Sequence, residues 1–179
     1  MSTLLYSNTA LLLIDWQERL FPAMPEQIRD RNLKQTTTLK WLAEQESMPV
    51  IVSEQYPKGL GPTVASLGNV NAIAKTHFSA MKNTMFCSAL EQTKATNIIL
   101  TGMETHICVA QTCVDLCAKG YTVWVPADAV LSRRKLDWQF GLQRMQNVGA
   151  KIVSAEAILF ELLQHSKDAN FKQISRLIR

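Results

Sequence analysis

The feature that most limits how this chain can fold is a series of short apolar runs without polar alternation. Six such runs occur, at residues 9–14, 49–53, 72–75, 97–101, 121–125 and 151–153, of which the third is the weakest. A strand that is apolar along its whole length must be covered on both faces, and helices cover both faces of parallel sheets. The runs therefore predict a parallel sheet buried between two layers of helices.

Segments with helical periodicity separate these runs and predict six helices. They cover residues 26–45, 84–93, 106–119, 135–148, 155–164 and 171–178. Gly120 and Gly149 follow two of them, at the position where a glycine with positive φ commonly ends a helix. Strands that alternate with helices are typical of a doubly wound α/β fold with three layers, α/β/α. Neither a repeat nor a linker interrupts the alternation, so we predict a single domain over residues 1–179.

The segment at residues 54–70 is the longest stretch without a clear periodicity. It is rich in Gly and Pro, and it exceeds the usual length of a connection between two elements. Long connections of this kind commonly carry binding residues, so we expect a binding loop after the second strand.

The composition favours an ordinary globular enzyme over a nucleic-acid or membrane protein. Of 179 residues, 47% are hydrophobic and 19% are charged, and the formal net charge is only +4. A basic cluster at Arg133, Arg134 and Lys135 is read as solvated surface, because nucleic-acid binders concentrate more charge along one face. The first apolar run is too short to cross a bilayer, so no membrane partner is expected.

The cysteines show neither the paired spacing of a disulfide framework nor a C-x-x-C motif. There are four of them, Cys87, Cys108, Cys113 and Cys117. This pattern indicates a reducing compartment, and no signal-like segment precedes the first apolar run. A cytoplasmic protein is therefore expected, with an organelle such as the mitochondrion left open.

Side chains that can carry chemistry follow three of the predicted strands. Asp15 comes directly after the first run, Lys75 ends the third, and Cys108 lies just beyond the fourth. Each has a more common explanation when taken singly, as a turn cap, a surface lysine and a small core residue respectively. Ligands of open parallel sheets bind at the carboxyl ends of the strands, however. The joint placement of the three residues at this edge favours a site.

Cys108 has an additional physical argument in its favour. The glycine turn before it ends at Thr105, a natural N-cap, which places Cys108 in the first turn of the next helix. Unpaired backbone N–H groups and the helix dipole stabilise a thiolate at that position. Cys87 competes for the role, because Asn83 or Thr84 would place it in the first turn of its own helix.

Motifs around these residues resemble those of the isochorismatase-like cysteine hydrolases. They are S-E-Q-Y-P-K-G-L-G-P-T from residue 53, K-T-H-F-S from residue 75, G-M-E-T-H-I-C-V from residue 102 and A-D-A-V-L-S-R from residue 127. Together with the ending F-K-Q-I-S-R-L-I-R, they are similar to the isochorismatase domain-containing proteins of eukaryotes. The resemblance extends over nearly the whole chain.

This resemblance implies a fold, a catalytic triad and an assembly state. The fold is a six-stranded parallel sheet in the order 3-2-1-4-5-6, with helices on both faces. The triad consists of Asp15, Lys75 and Cys108. Relatives assemble as homo-oligomers, so a dimer or a tetramer is expected.

The resemblance also implies how the substrate is held. The peptide bond between Met103 and Glu104 is expected to be cis, and backbone N–H groups of Glu104, Thr105 and Cys108 are expected to bind an oxyanion. Several side chains are expected to line the pocket, although an aromatic residue near a strand end is about as often plain core. They are Trp16, Phe21, Glu54, Tyr56, Phe78, Met103 and His106.

The sequence departs from the metal-binding members of this superfamily. Nicotinamidases carry an Asp-x-His-x-His type of metal site after the second strand, whereas this chain reads S-E-Q-Y-P from residue 53. Its three histidines, His77, His106 and His165, are scattered and have no metal-ligand spacing. We therefore expect neither a metal nor another cofactor, and nicotinamidase activity is disfavoured.

These features predict a metal-free cysteine hydrolase that cleaves a C–N bond in a small amide-like molecule. Asp15 would take the thiol proton, Lys75 would keep Asp15 ionised, and Cys108 would form a thioester. The family hydrolyses isochorismate, a vinyl ether, without a cysteine nucleophile, so the presence of Cys108 favours an amide. The alternatives are an RNA-associated or RNA-cleaving protein and a non-catalytic scaffold with the same fold.

Overall fold

The computed structural model describes residues 4–178 and consists of a parallel sheet between two layers of helices. The strands are β1 (Thr9–Ile14), β2 (Val50–Gln55), β3 (Ala72–Lys75), β4 (Asn97–Met103), β5 (Thr122–Pro126), β6 (Val130–Leu131) and β7 (Lys151–Val153). The helices are α1 (Glu26–Gln45), α2 (Pro57–Leu60), α3 (Thr84–Gln92), α4 (Ala110–Ala118), α5 (Lys135–Asn147), α6 (Ala155–Leu163) and α7 (Phe171–Leu177). A π-helical turn, Thr105–Val109, leads directly into α4.

The strands pair in parallel, and their main path runs β3-β2-β1-β4-β5-β7. The predicted strand order is therefore confirmed, with β7 in the place of the sixth strand. The predicted number of strands is wrong, because β6 pairs with Gly102 and Met103 of β4, beyond the point where β5 stops pairing with it. A strand of two residues is too short to be recognised from a hydrophobic pattern.

The predicted helices are present, with ends that differ by about one residue from those expected. Gly120 and Gly149 have positive φ angles, as their positions after α4 and α5 require. The main difference is at the start of the third predicted helix. There the chain forms π-type hydrogen bonds, from Val109 N to Glu104 O and from Ala110 N to Thr105 O, before the α-helix begins.

Both faces of β1 are buried, which explains its unbroken apolar sequence. Leu11 and Leu13 belong to one core with α1, α6 and α7, whereas Leu12 and Ile14 belong to a second core with α3, α4 and α5. The sheet is thus covered on both sides, as predicted. Within the described part of the chain, no helix has the length and apolar character needed to cross a membrane.

The segment after β2 is more ordered than its composition suggested. It contains the short helix α2 and a 3-10 turn at Ala65–Leu67. The buried side chain of Gln17 holds its start, since Nε2 donates to the carbonyl oxygens of Gln55 and Gly61 and Oε1 accepts from Gln55 N. The segment is therefore pinned to the residues that follow β1.

Gly102 allows β4 to approach β1 closely at the carboxyl edge of the sheet. It is in register with Ile14 and has a φ of 140°. A Cβ at this position would lie 2.2 Å from the carbonyl oxygen of Ile14, far inside van der Waals contact. Because Asp15 follows Ile14, this approach sets the distance between the end of β1 and the turn after β4.

The Gly102→Ala variant is expected to lose at least about 3 kcal/mol of unfolding free energy, because both the backbone conformation and the contact with Ile14 disfavour a side chain. Gly120→Ala is the matched control: its φ is 87°, but an added Cβ meets nothing within 4 Å. We expect that control to lose about 1–2 kcal/mol. Urea denaturation followed by circular dichroism measures both, and equal losses would contradict the proposed close contact.

Candidate active site

A buried ion pair joins the carboxyl ends of β1 and β3. Lys75 Nζ lies 2.7 Å from Asp15 Oδ2, and both side chains are almost completely inaccessible to solvent. Asp15 has a φ of 53°, a left-handed conformation that is uncommon for residues other than glycine and recurs at functional sites. The simpler explanation of Lys75 as a surface lysine is therefore wrong, and the Asp15 carboxylate binds an ammonium group instead of capping a turn.

β2 lies between these two strands and supplies two polar partners that the sequence analysis missed. Ser53 Oγ donates to Asp15 Oδ1 at 2.7 Å, and Gln55 Oε1 accepts from Lys75 Nζ at 2.8 Å. In the parallel register Ser53 is opposite Ile14, and Gln55 is opposite Lys75. Residues two apart on a strand share a face, so both side chains reach the ion pair. The sequence could have indicated these two residues only through their position at the end of the second strand.

The ammonium group of Lys75 is fully occupied by protein acceptors. Besides Asp15 and Gln55, it contacts the carbonyl oxygens of His77 at 3.3 Å and Phe78 at 3.1 Å. An ammonium group has three protons, and four acceptors surround this one. Lys75 therefore acts as a fixed charge that orders the chain after β3.

Cys108 lies in the π-helical turn after β4, with 6% of its surface exposed. Asp15 and Lys75 lie close enough to its thiol for both of their charges to act on the pKa of Cys108. The structure thus brings together the three residues that the sequence placed at strand ends. π-Helical turns are rare and frequently occur at functional sites.

The electrostatics of the site favour the protonated thiol of Cys108 over the thiolate. Burial raises the pKa of Cys108 to about 12; the negative charge of Asp15 adds to the shift, and the positive charge of Lys75 opposes it. Burial also raises the pKa of Asp15, against the opposing effects of Lys75, Ser53 and Cys108. Cys108 is therefore a protonated thiol at neutral pH, because burial and the charge of Asp15 outweigh the stabilisation of a thiolate by Lys75.

The turn after β4 contains the three residues expected to bind an oxyanion through their N–H groups. The Met103–Glu104 peptide bond is cis. Thr105 was expected to cap the following helix, but it is the first residue of the π-helical turn, and its buried Oγ1 has no hydrogen-bond partner within residues 4–178. The first N–H groups of any helix lack partners inside the helix, and Thr105 and Cys108 both lie in this first turn.

Two side chains of this turn are tied to the segment after β6. Glu104 Oε2 accepts from both the backbone N and the Nε of Arg133, each at 3.1 Å. His106 Nδ1 lies 3.0 Å from Ser132 Oγ. Glu104 was expected at the site through its backbone alone, and its carboxylate is engaged by Arg133. The ring of His106, expected to line the pocket, is instead next to Ser132. Arg133, read from sequence as plain solvated surface, instead holds the turn in place.

The other expected pocket residues are dispersed. Trp16 and Met103 are wholly buried in the core that contains α1, so they do not line an open pocket, and Phe21 packs against Trp16 with 6.3 Å between ring centroids. Glu54 Oε1 accepts from the N and Oγ1 of Thr63, which commits its carboxylate to the segment after β2. The presence of an aromatic residue near a strand end therefore did not indicate whether its side chain lies in the core or in a pocket.

Tyr56 and Phe78 are about half exposed and line two surface cavities near Lys75. The cavity beside Tyr56 has a volume of about 390 Å³ and also contacts Lys75. The cavity beside Phe78 has a volume of about 530 Å³ and is bordered by α4. Cys108 lines neither of them. These cavities flank the triad, and Cys108 itself lies beneath the surface.

Cys87, the competing nucleophile, lies in α3 after the expected cap. Asn83 Oδ1 accepts from Phe86 N at the start of this helix. The thiol of Cys87 donates to the carbonyl oxygen of Met81 at 3.2 Å. It therefore lacks the carboxylate and ammonium groups that surround Cys108.

The donor groups around the triad do not form a metal site. Among residues 4–178, no three His, Cys, Asp or Glu side chains lie close enough together to hold a metal ion. Glu54, the acidic residue after β2, is engaged by Thr63. The carboxylate beside Cys108 is that of Asp15, and it is already paired with the Lys75 ammonium.

Comparison of the sequence with known families and proteins gives consistent matches. The Isochorismatase domain model matches residues 9–157. Isochorismatase domain-containing protein 2 of Xenopus laevis is 40% identical over 138 residues, covering 76% of this chain and 67% of that protein. The protein of the same name from Danio rerio is 36% identical over 173 residues, covering 96% and 87%. Isochorismatase domain-containing protein 1 of Salmo salar is 34% identical, and this chain spans only 64% of its length.

Solved structures agree with these matches. The MAR1 ribonuclease of Caenorhabditis elegans superposes with a TM-score of 0.90 at 35% identity, covering 99% of this chain and 92% of that chain. The Escherichia coli YcaC gene product, described as an octameric hydrolase of unknown specificity, superposes with a TM-score of 0.87 at 24% identity, covering 99% and 89%. The second likeness concerns the fold alone. With a family model covering most of its length and relatives above 30% identity, the chain belongs to the isochorismatase family.

Proposed function

We propose that this chain is a metal-free cysteine hydrolase that cleaves the C–N bond of a small amide-like substrate. The observation that carries the proposal is the environment of Asp15. One buried carboxylate binds the Lys75 ammonium and the Ser53 hydroxyl, and its charge acts on the thiol of Cys108. A thiol beside a buried base is the arrangement that nucleophilic catalysis requires.

The proton of Cys108 moves in concert with attack in this mechanism. Cys108 Sγ bonds to the carbonyl carbon of the substrate while its proton passes to the Asp15 carboxylate. The tetrahedral oxyanion then collapses, the C–N bond breaks, and Asp15 returns the proton to the departing amine. Water attacks the resulting thioester and gives one proton to Asp15. The C–S bond then breaks, Asp15 returns that proton to Cys108 Sγ, and the acid is released. Each proton taken by Asp15 is thus returned within the cycle.

Lys75 has an electrostatic role in this scheme. A carboxylate buried as deeply as Asp15 would take up a proton at neutral pH without a counter-charge. Lys75 favours the ionised form, and the hydrogen bond from Ser53 supports it. Because its protons are directed at four protein acceptors, Lys75 has none left for the substrate.

The turn after β4 stabilises the oxyanion in the same scheme. Backbone N–H groups of Glu104, Thr105 and Cys108 are the proposed donors, and losing one donor of this kind typically raises a barrier by about 3 kcal/mol. The bond between Glu104 and Arg133 holds the turn in position. A thiol nucleophile needs an acyl carbon for its thioester, which favours an amide over a vinyl ether.

An RNA-cleaving role is the weaker candidate. It is suggested by the name of the Caenorhabditis elegans neighbour and by the exposed Arg134 and Lys135. A buried thiol does not suit attack on a phosphodiester, whose reaction forms no thioester.

Self-association is a separate proposal, supported by the octameric description of the YcaC product and by the exposed side chains of Leu136 and Phe140.

Replacing Cys108 with alanine is expected to reduce hydrolysis of small amides by at least about a thousandfold, because the nucleophile is lost. The matched control is Cys117→Ala, which changes a partly buried thiol on α4. Activity is measured with a panel of amides, and RNA is assayed in parallel. Amide hydrolysis that persists in Cys108→Ala would contradict the thiol mechanism, and RNA cleavage that alone depends on Cys108 would favour the weaker candidate.

Asp15→Asn is expected to separate thiol reactivity from catalysis. Because the charge of Asp15 raises the pKa of Cys108, its removal lowers that pKa and speeds alkylation by iodoacetamide at pH 7 by at least about tenfold. Turnover falls at the same time, because no base returns a proton to the leaving amine. Mass spectrometry of the peptide containing Cys108 gives the alkylation rate, with circular dichroism as the control for folding. Slower alkylation in this variant would contradict the assigned electrostatics.

Hydrolysis is expected to survive prolonged dialysis against EDTA, because the carboxylates near the triad already have protein partners. The measurement is the amidase rate before and after dialysis, and again after zinc is added. The Glu54→Gln variant serves as a control, since Glu54 holds Thr63 and is the acidic residue where relatives bind metal. Activity that disappears on dialysis and returns with zinc would overturn the metal-free mechanism.

A further inference from the structure

A third cavity lies between the start of α1 and the start of α5. It has a volume of about 280 Å³, and its walls come from the first half of α1, Ala127, the end of β6 and the first turns of α5. We call it the α1–α5 pocket. None of the three triad residues lines it, so its chemistry must be considered by itself.

Two uncharged polar side chains, Asn32 and Ser132, stand in the wall of this pocket, and Asn32 is the more deeply buried. The side chain is 1% exposed, and its Nδ2 donates to the carbonyl oxygen of Val130 at 3.0 Å. Its Oδ1 is buried without a hydrogen-bond partner among residues 4–178. An unsatisfied buried acceptor costs about 1–3 kcal/mol, so native structures rarely keep one without a use. Because Asn32 lines the pocket, a ligand that satisfies this oxygen must carry an O–H or N–H donor.

Two cationic side chains line the same pocket. Arg31 and Lys135 are exposed and form no ion pair within the described part of the chain. Both α1 and α5 also begin there without a side-chain cap, at Pro25 and Arg134 respectively. Helix N-termini favour negative charge. Glu26 and Asp137 occupy the first turns of α1 and α5, but neither lines the pocket. The two cationic side chains and the two helix N-termini therefore favour an anion at the mouth of the pocket.

Apart from Ser132, whose hydroxyl is 3.0 Å from His106 Nδ1, the remaining walls are apolar. Ile28, Leu131 and Trp138 face the cavity, and Trp138 Nε1 is already bonded to the carbonyl oxygen of Ala127. Trp138 therefore presents its ring, without a free donor, to a ligand. A flat hydrocarbon body fits such a wall, and the volume suits a small molecule.

We propose that the α1–α5 pocket binds a small aromatic or cyclic carboxylate that carries a hydroxyl or amino group. The carboxylate lies near Arg31 and Lys135, the ring lies against Trp138, and the hydroxyl or amino group donates to Asn32 Oδ1. This site is separate from the triad and does not depend on the proposed hydrolysis.

Isothermal titration calorimetry with 4-hydroxybenzoate tests this proposal, with benzoate and phenol as matched ligands. Saturable one-to-one binding of 4-hydroxybenzoate is expected, about tenfold tighter than that of benzoate, which lacks the donor for Asn32. Phenol, which lacks the charge, is expected to bind more weakly than 4-hydroxybenzoate. Absence of saturable binding at millimolar concentrations, or equal affinity for 4-hydroxybenzoate and benzoate, would overturn the proposal.

Substitutions in the pocket wall test whether 4-hydroxybenzoate binds in the α1–α5 pocket. Arg31→Ala and Lys135→Ala are each expected to weaken 4-hydroxybenzoate binding by about fivefold, the upper range for an exposed ion pair. Lys172→Ala, which removes an exposed charge on α7, is the control and is expected to leave binding unchanged. Cys108→Ala is also expected to bind normally. Equal losses in all three charge variants, or loss of binding in Cys108→Ala, would mean that the ligand binds elsewhere.

Discussion

The buried pair of Asp15 and Lys75 is the interaction on which the site depends. Removing two charges from water costs several kcal/mol per ion, and only close partners offset this cost. Ser53 and Gln55 supply those partners from the strand that lies between them. Because β1, β2 and β3 each contribute to this cluster, the pair also sets the alignment of the three strands at the carboxyl edge.

The ion pair determines the chemistry of the thiol beside it. Asp15 and Lys75 neutralise one another, so a third ionised group in the same buried volume is unfavourable. Desolvation and the charge of Asp15 together outweigh the attraction of Lys75, and the pKa of Cys108 rises. Reactivity in the proposed mechanism therefore comes from a base that accepts the proton during attack, and burial protects the idle thiol from solvent.

The general architecture was predictable because strand and helix patterns are local. Apolar runs without alternation require cover on both faces, which determined the class of fold and the sheet edge that carries Asp15, Lys75 and Cys108. The pocket residues were less predictable. Trp16 has the size and position of a pocket wall, yet its neighbours bury it completely.

The sequence by itself determined which residues lie at the ends of strands, because the pattern of apolar residues and their order along the chain can be read directly from it. Tertiary structure alone decided what those residues contact. The bond between Glu104 and Arg133 joins positions 29 residues apart, and the bond from Asn32 Nδ2 to the carbonyl oxygen of Val130 joins positions 98 residues apart. No local pattern encodes such contacts, because they arise only when β6 pairs beside β4 and when α1 and α5 begin at the same edge of the sheet.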